Sequence, residues 1–486
     1  MGETVYKEEF TPQDYRDFGQ RLQRQLEQLR EFLQQPQFQL HQPSFGAELE
    51  IYLVDDNYNP AAVNEELLRR SGHPQLTPEL NRYNLEFNLS PVPAAGAPFA
   101  AMGRELHGFL EQLQGHARAI GCNIISIGIL PTLQQAHLTQ SYMTDRPRYH
   151  ALNRGLCGIR GQGVDIKING PDALALHGEG LTVEGANTSF QVHLRVPAQD
   201  FALNYNAAQL STPLVLALAA NSPLIAGHRL WQESRIALFK QSIDFRDRKH
   251  PDWRQPARVS FGQGWVRSGA WELFAENVAL YQPLIPILFE ATPEQPLQLP
   301  ELCLHHGTVW PWNRAVYDHE AGGHLRIEFR ALPAGPTIVD MLANAALCIG
   351  WAVGLAERVE DTMARLPFKF AEYNFYRAAQ YGLDARLIWP ARLGGGLEER
   401  PVTELIEEFL PEAEAGLAGL GVDASDSAPC WQIIRARLDS RRTGASWQLQ
   451  RFAHYRAANP VEVACSLMLA DYVAQMMQGE PVASWC

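Results

Sequence analysis

Gly46-Ala47-Glu48-Leu49-Glu50-Ile51-Tyr52-Leu53 places its apolar residues Ala47, Leu49, Ile51 and Leu53 at odd positions. The even positions include the carboxylates Glu48 and Glu50. A strand sends successive side chains to opposite faces, so this stretch predicts a strand with two carboxylates on one face and an aliphatic row on the other. The pattern returns over 82–90, where Tyr83, Leu85, Phe87 and Leu89 oppose Arg82, Asn84, Glu86 and Asn88. It returns over 189–196, where Phe190, Val192, Leu194 and Val196 oppose Ser189, Gln191, His193 and Arg195. Over 325–331, Leu325, Ile327, Phe329 and Ala331 oppose Arg326, Glu328 and Arg330. A weaker fifth case is 164–169, with Asp165, Lys167 and Asn169 on one side.

A half-buried antiparallel sheet with one solvated face gives the same alternation, but it mixes Lys, Thr, Ser and Glu freely. Here the polar face is built from Glu, His, Asn, Gln and Arg. If the faces converge, Glu48, Glu50, Glu86 and Glu328 meet around His193. Like charges at short range raise one another's pKa, and hard divalent cations relieve that conflict. Oxygen-rich groups with one imidazole favour Mg2+ or Mn2+ over zinc. Arg195, Arg326 and Arg330 add positive charge to the same surface, which suits the phosphates of a nucleoside triphosphate. No GxxxxGK[ST] loop is present, and GIRGQG (158–163) is only a short glycine-rich turn. Glu328 is expected on a wet face, where its replacement would remove a ligand and spare the fold.

The rest of the chain is consistent with an ordinary globular protein. Of 486 residues, 46% are hydrophobic and 20% charged, and the net charge of −13 argues against a nucleic-acid partner. Cys122, Cys157, Cys303, Cys348, Cys430, Cys465 and Cys486 form no CxxC pair and read as mostly buried thiols of a cytoplasmic protein. No secretory leader is read at MGETVYKEEF. The apolar text near 214–227 and 338–356 is broken by Pro223, Asp340 and Asn344, so core helices are expected and no membrane partner. Thr11, Pro12 and Asp14 mark a helix start, followed by Phe18, Leu22, Leu26, Leu29 and Phe32 at helical spacing. Helices are expected over 97–120, 204–241 with a break near 221–223, 337–365, 402–420, 428–443 and 446–478, and a buried strand over 122–130. Three parts follow: an N-terminal helix and linker (1–40), a catalytic body (41–369) and a helical C-terminal portion (370–486).

Five pieces, FGAELEIYLVD (45–55), TPELNRYNLEFNLSP (77–91), GANTSFQVHLRV (185–196), LAANSPLIAG (218–227) and HLRIEFRALPAGPT (324–337), resemble glutamate–cysteine ligase family 2 in content and order. The resemblance implies an α+β fold, an antiparallel funnel-shaped sheet of glutamine-synthetase type flanked by helices. It also implies ATP, two or three Mg2+ ions, and metal ligands at Glu48, Glu50, Glu79, Glu86, His193 and Glu328. Of these, Glu79 lies outside the alternation. Arg330 is similar to the arginine that faces the phosphates, and Arg326 stands beside it as a second catalytic candidate.

Substrate contacts are expected at Arg146, Arg148, Asn187, Gln191, Arg195, Trp310 and Arg314. Trp310, Trp312, Asn313 and Arg314 read either as a packed aromatic turn or as a lid. Tyr149 accompanies the 146–148 arginines. His305 and His306 read as core or surface histidines, and Lys167 and Lys240 as exposed lysines or phosphate contacts. The expected reaction is ATP-dependent ligation of the glutamate γ-carboxylate to an amine, cysteine first, through an acyl phosphate. The alternatives are another amine, a guanidino kinase on the same sheet, or a non-catalytic nucleotide or amino-acid binding protein. Small-molecule substrates are the expected partners, and the oligomeric state is left open, a homo-oligomer included.

Overall fold

The computed structural model describes residues 9–39, 42–160, 163–244, 246, 255–290, 298–392 and 395–486. The alternating segments become strands of one sheet: β1 (Ser44–Val54), β2 (Leu76–Pro78), β3 (Asn84–Asn88), β4 (Val92–Pro93), β5 (Asn123–Ile125), β6 (Phe190–Val196), β7 (Asn313–Asp318) and β8 (His324–Phe329). Their order is β7-β8-β6-β1-β3-β2, with β4 and β5 also paired to β1, and every pairing is antiparallel. The sheet curls into a half-barrel.

The aliphatic rows explain which side is covered. Leu49, Ile51, Leu85, Phe87, Val192, Leu194, Ile327 and Phe329 enter one core with residues of α2 (Pro98–Arg118), α3 (Phe201–Ala219) and α5 (Ile338–Gly354), which follows α4 (Arg235–Ser242). Each such side chain contributes about 1.5–3 kcal/mol on burial. That leaves the opposite face as the place where the polar row collects. At the N-terminus, α1 (Pro12–Phe32) carries the expected capping box between Thr11 and Asp14 and buries Phe18, Leu22, Leu26 and Leu29.

The helices α6 (Phe368–Tyr381), α7 (Val402–Gly419), α8 (Ala424–Ser440), α9 (Gly444–Arg456) and α10 (Val461–Gln478) complete the chain. They do not form a core of their own. Phe375, Ile406 and Ile434 join the core that holds Leu49, while Trp447, Met468 and Trp485 join a second one with Tyr52, Tyr83 and Ile127. The α5–α7 crossing is close because its contact residues are small. A Cβ at Gly416 would sit 2.1 Å from the Gly350 carbonyl oxygen.

Several expectations needed correction. The pattern over 82–90 starts too early: Arg82 and Tyr83 belong to the turn before β3, and Tyr83 stacks on Tyr52 with ring centroids 5.9 Å apart. The 164–169 strand exists but, among the described residues, pairs with Ala173–Gly178 as a hairpin separate from the main sheet. Only Asn123–Ile125 of the 122–130 strand is extended enough to pair. Proline ends the 446–478 helix in the middle, since Pro460 separates α9 from α10. A hairpin of Arg386–Pro390 with Leu397–Pro401 interrupts text that reads as helical. No single described helix is long and apolar enough to cross a membrane.

Candidate active site on the polar face of the sheet

Strand register, which the sequence does not show, decides which polar residues become neighbours. Glu50 stands opposite Glu86 across β1–β3, and Thr77 opposite Glu86 across β2–β3. Glu48 lies between Asn88 and Gln191. His193 faces Glu328 across β6–β8, and Arg314 faces Glu328 across β7–β8. Six carboxylate and imidazole candidates therefore gather into two groups of three, Glu48 with His193 and Glu328, and Glu50 with Glu79 and Glu86. Within each group the donor atoms lie within 4.8 Å of one another. Glu79 reaches its group from the bend just after β2.

The two groups differ in charge. Glu328 is fully buried rather than on a wet face. Its Oε2 accepts from Arg314 Nε at 2.5 Å, and its Oε1 accepts from Arg314 Nη2 at 2.9 Å and Arg330 Nη1 at 2.6 Å. Burial alone would push this carboxyl up, but Arg314 and Arg330 outweigh it and hold it well below the usual carboxylate range. Arg314, expected at a substrate, is thus buried on Glu328. His193 Nδ1 accepts from Arg326 Nε at 3.2 Å, which assigns the ring proton to Nε2. That Nε2 is 3.2 Å from Glu48 Oε1 but off hydrogen-bond geometry, so both His193 Nε2 and Glu48 Oε2 are buried without a hydrogen-bond partner. Burial raises Glu48 and His193 more than offsets it, leaving the carboxyl low.

The other group is short of positive charge. Glu50 accepts from Ser189 N at 2.6 Å and Gln191 Nε2 at 3.1 Å, Glu86 from Asn88 Nδ2 at 2.9 Å, and Glu79 from Leu80 N at 3.0 Å. Among the described residues no arginine or lysine forms an ion pair with any of the three. Burial, then the neighbouring carboxylates, push Glu79 well up and Glu86 to about 8. Burial also raises Glu50, against Arg235 and Arg330. All-oxygen donors lacking a counter-cation, beside a group whose buried Glu48 and His193 atoms are orphaned, fit one or more hard divalent ions.

Arg330 stands between the groups. Its Nη1 donates to Glu328 Oε1 and to Gln191 Oε1, and Gln191 in turn holds Glu50. Arg326 is spent at the rim on Asp318 Oδ2 at 2.9 Å and on His193, with Arg195 opposite it in register. The remaining candidates scatter. Asn187 uses its amide on the Glu184 carbonyl at 2.7 Å and keeps a buried Oδ1 without a partner. Arg146 forms an exposed ion pair with Glu65, and Arg148 is half-buried beside Tyr149. Tyr149 donates to the Pro78 carbonyl at 2.8 Å and is raised by burial and by Glu79 and Glu86. Trp310 is a core residue against Phe239, and Trp312 packs on Phe239 and Phe375. Both rings are buried, and Trp310 pairs with Val259 in a short parallel ladder just ahead of β7.

His305 and His306 are buried, with His306 held by Asn277 and the Ala315 carbonyl. Two charged groups escaped the sequence reading. Glu184, just ahead of the GANTSF motif, is pushed to about 8 by burial and Glu50. Arg235, fully buried, lies 3.2 Å from Glu233, donates to the Ala331 carbonyl at 2.9 Å, and acts electrostatically on Glu50. Neither lies in an alternating stretch; adjacency to a motif was a signal for Glu184 and not for Arg235.

The model of glutamate–cysteine ligase family 2 matches residues 44–465. A Nocardia farcinica protein assigned as glutamate–cysteine ligase 2-2 is 26% identical over 84% of this chain and 90% of its own length. A Frankia casuarinae protein assigned as glutamate–cysteine ligase 2-1 is 28% identical over 60% of this chain, which spans 63% of that relative's length. The solved glutamate–cysteine ligase of Francisella tularensis, in complex with AMP, shares the fold with a TM-score of 0.56, at 11% identity over 90% of each chain. Motifs in order, the convergence of four of the five on one curled sheet and a family match spanning nearly the whole described body agree: this chain belongs to glutamate–cysteine ligase family 2, a family of ATP-dependent ligases that form C–N bonds.

Proposed function

We propose that this protein uses ATP to join the γ-carboxylate of glutamate to an amine, with cysteine as the first candidate, through an acyl phosphate. The observation that carries the reading is the pair of three-residue groups, Glu48–His193–Glu328 and Glu50–Glu79–Glu86, with Arg330 between them. A carboxylate is a poor electrophile and must first be phosphorylated. These six residues would hold Mg2+ or Mn2+, which when bound would supply positive charge to the phosphates and to the carboxylate being activated. Arg330 is already oriented by Glu328 and Gln191, so it offers a guanidinium to the transferred phosphoryl group without first having to be ordered. Glu328 would serve two roles, as a cation ligand and as the anchor of Arg314 and Arg330. His193 would ligate through Nε2 only after its proton moves to Nδ1 and the Arg326 contact opens. Arg326 is the second phosphoryl contact. Arg195, Gln191, Asn187, Arg148 and Arg146 remain substrate candidates, to which Arg235 and Glu184 are added. A cytoplasmic location belongs to the same proposal, as does a helical portion at 370–486 that braces the sheet.

The test is ADP release from Mg-ATP and glutamate with each amino acid in turn, with the product identified by mass. Amide formation with cysteine supports the full reading, and amide with another amine reassigns the acceptor. ADP without any amide would point to a kinase and refute the ligase.

A further inference from the structure

A cavity of about 440 Å3 lies outside the polar face of the sheet. Its walls come from the 164–178 hairpin, the segment just before α4, α4 itself and α6, through Lys167, Asn169, Trp231, Lys240, Tyr376 and Gln380. On α4, Ala237, Lys240 and Gln241 face it. At about 100° per residue these three lie on the side of the helix opposite Arg235, whose guanidinium is directed at Glu233 and the Ala331 carbonyl. The helix body therefore separates this cavity from the carboxylate groups.

Lys240 is the unusual group here. Its ammonium sits 4.3 Å from the Tyr376 ring and donates to the Tyr376 hydroxyl. It forms no ion pair with a described residue. Of the charged groups that act on it, Asp244 is bonded to Arg246 through both oxygens, and Glu372 on α6 lies beyond ion-pair reach. Burial pushes Lys240 down from the ordinary lysine range. A largely buried cation without a counter-anion is costly unless something compensates it. On the rim of the same cavity stands a second ammonium, the exposed Lys167, whose backbone is pinned by Gln241 at 2.9 and 3.0 Å. Trp231 is locked by its indole N–H on the Asn169 carbonyl at 2.9 Å, so its ring is a fixed wall. Two ammonium groups, an indole, a phenol and the amide of Gln380 around a cavity of this size match a small ligand with anionic oxygens on a flat or apolar body.

We propose that this cavity is a second binding site, separate from the ligase centre, for a small organic anion: a carboxylate or phosphate monoester on a planar or apolar body. The anion would complete a charge pair that no described residue gives Lys240, and Trp231 and Tyr376 would cover the body.

Titration calorimetry on the full chain with phenyl phosphate, benzoate and inorganic phosphate tests this. One-to-one binding of phenyl phosphate or benzoate is expected, unchanged by saturating Mg-ATP, and the tighter of the two identifies the anionic group. Lys240→Met keeps the aliphatic stem and should weaken the probe by roughly 10- to 100-fold, since hydrogen bonds to charged groups carry that much. Lys167→Met, on an exposed position, should weaken it severalfold and decides the matter if Lys240→Met does not fold. Absence of organic-anion binding to the unaltered protein, binding of inorganic phosphate alone, equal affinity in the folded variants, or displacement by Mg-ATP would each overturn the proposal.

Discussion

Replacing Glu328 by alanine removes the one carboxylate to which two buried guanidiniums are bound. Arg314 is 8% exposed and Arg330 14%, and Glu328 is not exposed at all. With charge centres about 4 Å apart and an effective dielectric of about 20, each attraction is worth about 4 kcal/mol before desolvation is counted. Removing one partner of such a buried network leaves the others unpaired and typically costs about 3–5 kcal/mol. A 486-residue chain melting as one unit has an unfolding entropy near 1 kcal/mol per degree, so the melting temperature should fall by about 3–5 °C. Differential scanning calorimetry with excess EDTA isolates this structural effect from any lost cation. Arg314→Met combined with Glu328→Met should recover part of the loss, because no unpaired guanidinium then stays at position 314. A Glu328→Ala protein melting within a degree of the parent would refute the reasoning and return Glu328 to the solvated face on which its sequence pattern places it.

Glu86→Gln should behave in the opposite way: near pH 7 it exchanges a mostly protonated carboxyl for a neutral amide of the same shape, so the metal-free melting temperature should not drop, while Mn2+ affinity by titration calorimetry should fall at least about tenfold, because the amide cannot ionise to bind the cation. A large loss of stability without loss of Mn2+ affinity would make Glu86 structural. Arg330→Lys should lower kcat about 10²–10³-fold with little change in KM for ATP, because lysine cannot reproduce paired donors; near-parental kcat would leave Arg330 as charge balance only. His306 is held neutral, accepting at Nδ1 and donating from Nε2, and burial pushes it down to about 3. Its stabilising effect is present above the unfolded value of about 6.5 and is lost as pH falls toward 3. Between pH 7 and pH 5 it should cost the folded state about 2 kcal/mol, and His306→Gln should flatten that part of the melting-temperature profile. An unchanged profile in the variant would show that His306 titrates normally.

Period-two alternation made β1, β3, β6 and β8 legible, because backbone geometry alone sends neighbouring residues to opposite faces. It identified Glu48, Glu50, Glu86, His193 and Glu328 as residues of one side, and the family motifs added Glu79. Alternation says nothing about which strand lies beside which. Register brought Arg314 to Glu328 from 14 residues away and gave a carboxylate that reads as open a buried ion pair. Helical residues of other segments supplied Arg235 and Glu184, and the curl of the sheet buried a face that reads as wet. Trp310 and Trp312 show the same limit. Their polar-aromatic neighbourhood suits a lid, and only the packing of Phe239 and Phe375 against them makes them core. The chain text thus determined the strands, their chemistry-bearing faces and the family, all of which depend on side chains a few residues apart. Partner choice, burial and charge balance were decided by contacts between separate strands, from Arg314 with Glu328 across one hairpin to His193 with Arg326 and Glu50 with Ser189 more than 100 residues apart, which exist only once the sheet has closed.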